Sequence, residues 1–128
     1  MTKVMWFSRH EMSYEQFTAL KAKLGAIEVV QVNGTMPNVH VQFEAEITPH
    51  GEAPNTVQIE SFKAIAAEFD ILAVVCPINL QQQVLGIAGD RPVIFAKNNR
   101  VNREGEFYFE FAGWERLIEV KVVTESFA

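Results

Sequence analysis

The 128 residues carry eleven basic and sixteen acidic side chains, a formal net charge of −5, and 48% are hydrophobic. That length suits one domain with a genuine core, and the acidic balance excludes the whole-molecule basic footprint of a duplex nucleic-acid binder. No apolar run is long enough to span a bilayer. Met1-Thr2-Lys3 leads into a strand without the small-residue cleavage site of a secretory signal. The single Cys76 has no internal disulfide partner, which suits a reducing compartment. The expectation is a cytoplasmic single domain spanning residues 1–128, with no membrane partner; the sequon Asn33-Gly34-Thr35 is then incidental.

Val4 to Phe7 is apolar on both faces, as a strand covered on both sides must be. Ser13 and Gln16 form a capping box for a first helix. Phe17, Leu20 and Leu24 are its inward stripe, and Gly25 is suited to its C-terminal cap. Ile27 to Val32 is a second strand, so the opening predicts a right-handed parallel crossover. Residues 33–55 break the pattern: Asn33-Gly34 and Pro37 turn, Val39 to Phe43 alternates, and Pro49, Gly51 and Pro54 mark a surface insertion. Phe62, Ile65, Ala66 and Phe69 have helical spacing, with Ser61 or Thr56 as caps. Ile71 to Val75 is the strongest buried-strand signal, ended by Pro77. Asn79 and Gln82 predict a capping box for a third helix, with Leu80, Val84 and Ile87 inward and Gln81 to Gln83 outward. Gly89-Asp90 then turns into a strand from Pro92 to Ala96. Phe107, Phe109 and Phe111 alternate with polar residues, and Gly113-Trp114 reads as the turn of a hairpin over 105–124, with Ile118, Val120 and Val122 on its second strand. The predicted fold is a three-layer α/β/α sandwich: a Rossmann-like, mostly parallel sheet with an added antiparallel C-terminal hairpin.

In open parallel sheets, ligands collect beyond the carboxyl ends of the strands where strand order reverses. With the order second, first, third, fourth, that point brings together the Ser8-Arg9-His10 and Pro77-Ile78-Asn79 loops. Lys97-Asn98-Asn99-Arg100 follows the next strand, within roughly 10 Å at a strand spacing of ~4.8 Å. Arg91, Lys97, Arg100 and Arg103 fall in a stretch with no acid from Arg91 to Arg103. Joined by Arg9, they predict a cationic focus beside two helix N-termini, suited to phosphate. Asn79, Asn98 and Asn99 add neutral donors and acceptors suited to a base or ribose. The candidate ligand-binding set is therefore Ser8, Arg9, His10, Asn79, Asn98, Asn99 and Arg100.

Each of these has a structural role open to it as well. Ser8 can satisfy backbone groups at its turn, Arg9 can pair with Glu11, and Asn79 can act as a helix cap alone. Arg100 and Arg103 can be solvated charges. His10 stands between a structural hydrogen bond and acid–base work, and Cys76 reads as a buried small hydrophobe. Walker, dinucleotide-fingerprint and zinc-protease patterns are absent. In a phosphatase-type loop starting at Cys76, the required arginine is Gln82. Three scattered histidines and one cysteine predict no metal, and no cofactor is expected.

The "FSRH" loop after the first strand and the later "VVCPINL" strand-to-helix passage resemble small Rossmann-like nucleotide-sensor domains of the CRISPR-associated kind, the CARF and ring-nuclease-like group. The likeness covers roughly residues 1–32 and 70–97, and the 33–55 insertion and C-terminal hairpin depart from it. It implies a homodimer binding a cyclic or linear oligonucleotide, with Ser8, Arg9, His10 and Asn79 as the residues carried over. The leading expectation is a non-catalytic binding protein for a small phosphorylated or nucleotide-like ligand. An interaction subunit docking through its aromatic hairpin, and a phosphodiester-cleaving enzyme using His10, are the other two.

Overall fold

Val4, Met5, Trp6 and Phe7 are all buried. Successive side chains of a strand point to opposite faces, so this one segment demands apolar cover on both sides. The structure, a computed structural model, describes residues 1–8, 11–32, 56–75, 78–121 and 123–127, with the side chains of 56–59, 61 and 78–80 outside that description. The expected 33–55 insertion and its 39–43 strand lie outside the described residues, as do Arg9, His10, Cys76 and Pro77.

The elements are β1 (Thr2–Phe7), α1 (Tyr14–Leu24), β2 (Ile27–Gln31), α2 (Thr56–Ala66), β3 (Ile71–Val74), α3 (Ile78–Ala88), β4 (Val93–Arg103) and β5 (Glu106–Arg116). The five strands form one sheet in the order β2-β1-β3-β4-β5. β1 is parallel to β2 and to β3, β3 is parallel to β4, and β4 is antiparallel to β5. The expected pairing of the first and third strands is thus present, in the register Val4↔Ile71 to Phe7↔Val74. At its start, Lys3 N–H donates to Asp70 Oδ2 (2.8 Å), and Asp70 N–H returns a bond to the Lys3 carbonyl (2.9 Å).

Strand parity sorts the core. Met5 and Phe7 join Phe62, Ala66, Val84 and Ala88 of α2 and α3 in one cluster. Val4 and Trp6 join Leu20 of α1 in another, with Phe17, Leu24 and Trp114 against it. Helices therefore pack against both faces of the sheet. The capping box of α1 is formed: Gln16 N–H donates to Ser13 Oγ (3.1 Å) and Ser13 N–H to Gln16 Oε1 (2.9 Å). Gly25 closes the helix at φ +80°, its N–H donating to the Lys21 carbonyl (2.9 Å).

The later elements depart from the sequence reading in three places. Asn79 is a helical residue of α3, which starts at Ile78, and Ser61 lies inside α2. Lys97 to Arg100 is strand, not loop, because β4 continues to Arg103 and pairs with β5 from Ile94↔Arg116 to Arg103↔Glu106. The hairpin turn is Glu104-Gly105, with φ of 55° and 83°, the double positive φ of a tight two-residue hairpin. Gly113-Trp114 is not a turn. Its glycine, at φ 125°, sits at a register break opposite Lys97/Asn98, where Ala112 is the extra residue of a bulge. Residues 117–121 carry no strand.

Arg91 binds the lower ends of two helices together. Its guanidinium donates to the carbonyls of Ala66 and Phe69 (3.1 Å to Phe69) and of Ala88 and Ile87 (3.1 and 3.3 Å). These are carbonyls at and just beyond the C-termini of α2 and α3, which lack helical partners and carry the negative end of the dipole. Arg91→Ala is expected to lower unfolding free energy by about 2–3 kcal/mol, since bonds to a charged donor are the strong ones. Arg91→Lys should recover only part, because an ammonium cannot span both helix ends. Urea denaturation of the three proteins measures this.

Candidate functional site

β1, β3 and β4 present their carboxyl ends on the same edge of the sheet, and the chain from β1 leads to β2 on one side while β3 lies on the other. That is the strand-order reversal at which open sheets leave a crevice. A cleft of about 330 Å³ occupies it. Ser8 borders it from the end of β1, Val74 and Val75 from β3, and Phe95, Ala96 and Asn98 from β4. Glu11 and Gln16 border it from the start of α1, Gln81 from the first turn of α3, and Trp6 from beneath.

The rim is held by hydrogen bonds to backbone carbonyls. Gln31 Nε2 reaches over from β2 to the Ser8 carbonyl (2.9 Å), and Val75 N–H donates to the Phe7 carbonyl (2.9 Å). Ser8 is consequently 1% exposed, the one buried polar residue among those described. Trp114 Nε1 donates to the Gln16 carbonyl (3.0 Å), tying β5 to the start of α1. Its ring meets Trp6 edge to face at 5.9 Å, so the cleft floor is braced by aromatic packing.

Of the sequence-predicted residues, Ser8 and Asn98 line the cleft. Arg9, His10 and the Asn79 side chain lie outside the described residues. Asn99 and Arg100 are exposed strand residues further along β4, and neither borders the cleft. The expected cationic focus does not assemble among the described residues. Arg91 is committed to helix carbonyls, and Lys97 pairs with Glu115 at 3.4 Å. Arg103 pairs with Glu110 at 2.5 Å, and Arg100 lies 3.8 Å over the Phe107 ring. A strand separates by its rise residues that a loop would have gathered. Glu11 is the one charged side chain among the described lining.

Trp6, Phe95, Gln16 and Gln81 were not legible as site residues. Periodicity alone places Gln81 on the outer surface, yet the first turn of a helix faces the strand ends whichever way its polar stripe runs. Phe95 read only as one residue of a buried strand. What the lining offers is an aromatic floor at Trp6, an aromatic side at Phe95, a hydroxyl and three neutral amides, suited to a flat, hydrogen-bonding group of modest size.

No protein-family model, curated protein or solved structure matches the chain. Among the described residues, no helix is long and apolar enough to cross a membrane, and no group of three His, Cys, Asp or Glu side chains is placed to hold a metal ion.

Among the described residues, one titrating group is perturbed. Tyr108 Oη donates to Glu106 Oε2 (2.5 Å), and that bond, with a lesser contribution from desolvation, raises the phenol above its usual 10.0. A raised value means the neutral phenol is favoured in the fold. The bond's contribution is complete below the ordinary value and is lost as pH rises through the raised one. In a Tyr14→Phe background, ultraviolet titration should place Tyr108 above the free-tyrosine midpoint, and Glu106→Ala should bring it down.

Proposed function

We propose that the chain is a binding protein for a small phosphorylated or nucleotide-like ligand, seated in the cleft at the carboxyl ends of β1, β3 and β4. The observation that carries this reading is the lining itself: Trp6 as floor and Phe95 at the side, with Ser8, Gln81 and Asn98 as neutral hydrogen-bonding groups at a strand-order reversal. Such a lining suits a base and ribose, whose edges need matched donors and acceptors. With Glu11 as the only described charge, it suits a cluster of phosphates less well. The same chemistry accords with the nucleotide-sensor resemblance of the "FSRH" and "VVCPINL" passages.

Calorimetric titration against a panel of mono- and dinucleotides tests the reading. The expected result is saturable one-to-one heat with a rise in melting temperature, because binding to the native state must stabilise it. Asn98→Ala should weaken that affinity about three- to tenfold, the worth of one neutral hydrogen bond. Arg100→Ala should leave it nearly unchanged at matched salt, since its guanidinium rests on Phe107 and outside the cleft. Absence of binding to every phosphorylated compound in the panel would overturn the reading.

A further inference from the structure

Beyond Asn98 the β4–β5 ribbon runs clear of β3, whose pairing with β4 is confined to Val93 and Ile94 among the described residues. Its two faces differ in chemistry. On one, Asn99, Val101 and Arg103 stand opposite Glu110, Tyr108 and Glu106. The charges there are matched within the face, Arg103 with Glu110 and the Tyr108 hydroxyl with Glu106. On the other, Asn98, Arg100 and Asn102 stand opposite Phe111, Phe109 and Phe107, and no acid is among them. Phe107 and Phe109 are 56% and 74% exposed, and Arg100 is stacked 3.8 Å over the Phe107 ring. Phe111 turns edge to face onto Trp114 at 5.8 Å, rooting the row in the core.

We propose that this second face is a stacking platform for single-stranded nucleic acid. Every base offers a π-face to an exposed ring, and a planar guanidinium lying on a ring adds both a stacking surface and a positive charge for phosphate. The two asparagines flank Arg100 with amides able to meet base edges. Alternate residues of a strand repeat every ~6.8 Å, about two base-stacking intervals of ~3.4 Å, so Phe109 serves one splayed base and the guanidinium-capped Phe107 the next. A second copy of the chain is the poorer occupant. The two exposed rings offer on the order of 250 Å² between them, well short of the roughly 800 Å² per partner of a stable interface. Self-association would also bury Arg100 and the amides without a matched acid. The proposal stands on the ribbon and shares only Asn98 with the cleft lining.

Fluorescence anisotropy of a labelled oligouridylate about twelve nucleotides long, titrated with the full chain at low salt, tests it. Saturable binding is expected, with Phe109→Ala weakening it about tenfold or more, since one stacked base is lost. Phe109→Leu keeps apolar bulk but removes the aromatic face, and should show a similar loss. Near-UV circular dichroism of Trp6 and Trp114 should stay unchanged in both. Arg100→Ala should flatten the salt dependence by about one phosphate contact, and Tyr108→Phe, on the opposite face, should bind as wild type. Excess mononucleotide should leave the oligomer bound, so a failure of the cleft reading and a failure of this one give different patterns. The proposal is overturned if wild type does not bind, or if Phe109→Leu binds equally well. It is also overturned if light scattering shows a dimer that Phe109→Ala dissociates.

Discussion

Burial of Val4–Phe7 on both faces is the constraint from which the remaining architecture follows. A strand that is apolar at every position cannot lie at a half-solvated surface, so it must sit inside a sheet with cover above and below. Alternation then assigns Val4 and Trp6 to the α1 side, and Met5 and Phe7 to the α2 and α3 side. Helices on both faces require crossover connections, and crossovers make neighbouring strands parallel. Parallel strands end together, so their loops and the starts of the following helices converge at one edge. The cleft bounded by Ser8, Val75 and Asn98 is a consequence of that convergence.

Trp114 couples the cleft floor, the root of the ribbon and the start of α1. Its ring contacts Trp6 at the cleft floor and Phe111 at the root of the ribbon, while its indole N–H holds the Gln16 carbonyl at the start of α1. An isolated two-stranded ribbon is marginal in water. Anchoring at Trp114, together with eleven-residue strands, lets this one project beyond the rest of the sheet. The bulge at Ala112, opposite Lys97/Asn98, lies beyond Ile94, the last residue of β4 paired with β3 among those described.

Charge is distributed by function within the fold. Arg91, although close in sequence to the other cations, completes the C-termini of two helices. Lys97 and Arg103 are matched by acids on β5. Among the described residues, what these pairings leave is a cleft with neutral polar groups and the one acid Glu11, and a ribbon face whose single charge is Arg100. The first favours shape and hydrogen-bond matching. The second offers one local, salt-sensitive positive charge on a chain whose net charge is −5.

Short-range physics made much of this visible in the sequence alone. The Ser13–Gln16 capping box, Gly25 at the end of α1 and the doubly apolar β1 and β3 are signals carried by adjacent residues, and the structure contains each of them. From those, the parallel core and the location of the crevice could be reasoned, and Ser8 and Asn98 do border it. The hairpin was misplaced because its strand Lys97–Arg103 has an unremarkable polar composition and its turn is Glu104-Gly105, a pair whose φ preference is weaker than that of Asn-Gly or Asp-Gly. Only pairing with Phe107–Phe111 makes that stretch a strand. Residues that are neighbours along an extended strand are carried apart by about 3.4 Å each, so the predicted gathering of Arg91, Lys97, Arg100 and Arg103 could not form. Which side chains share a face was decided by a register across two strands, an interaction between residues that no local pattern in either one contains.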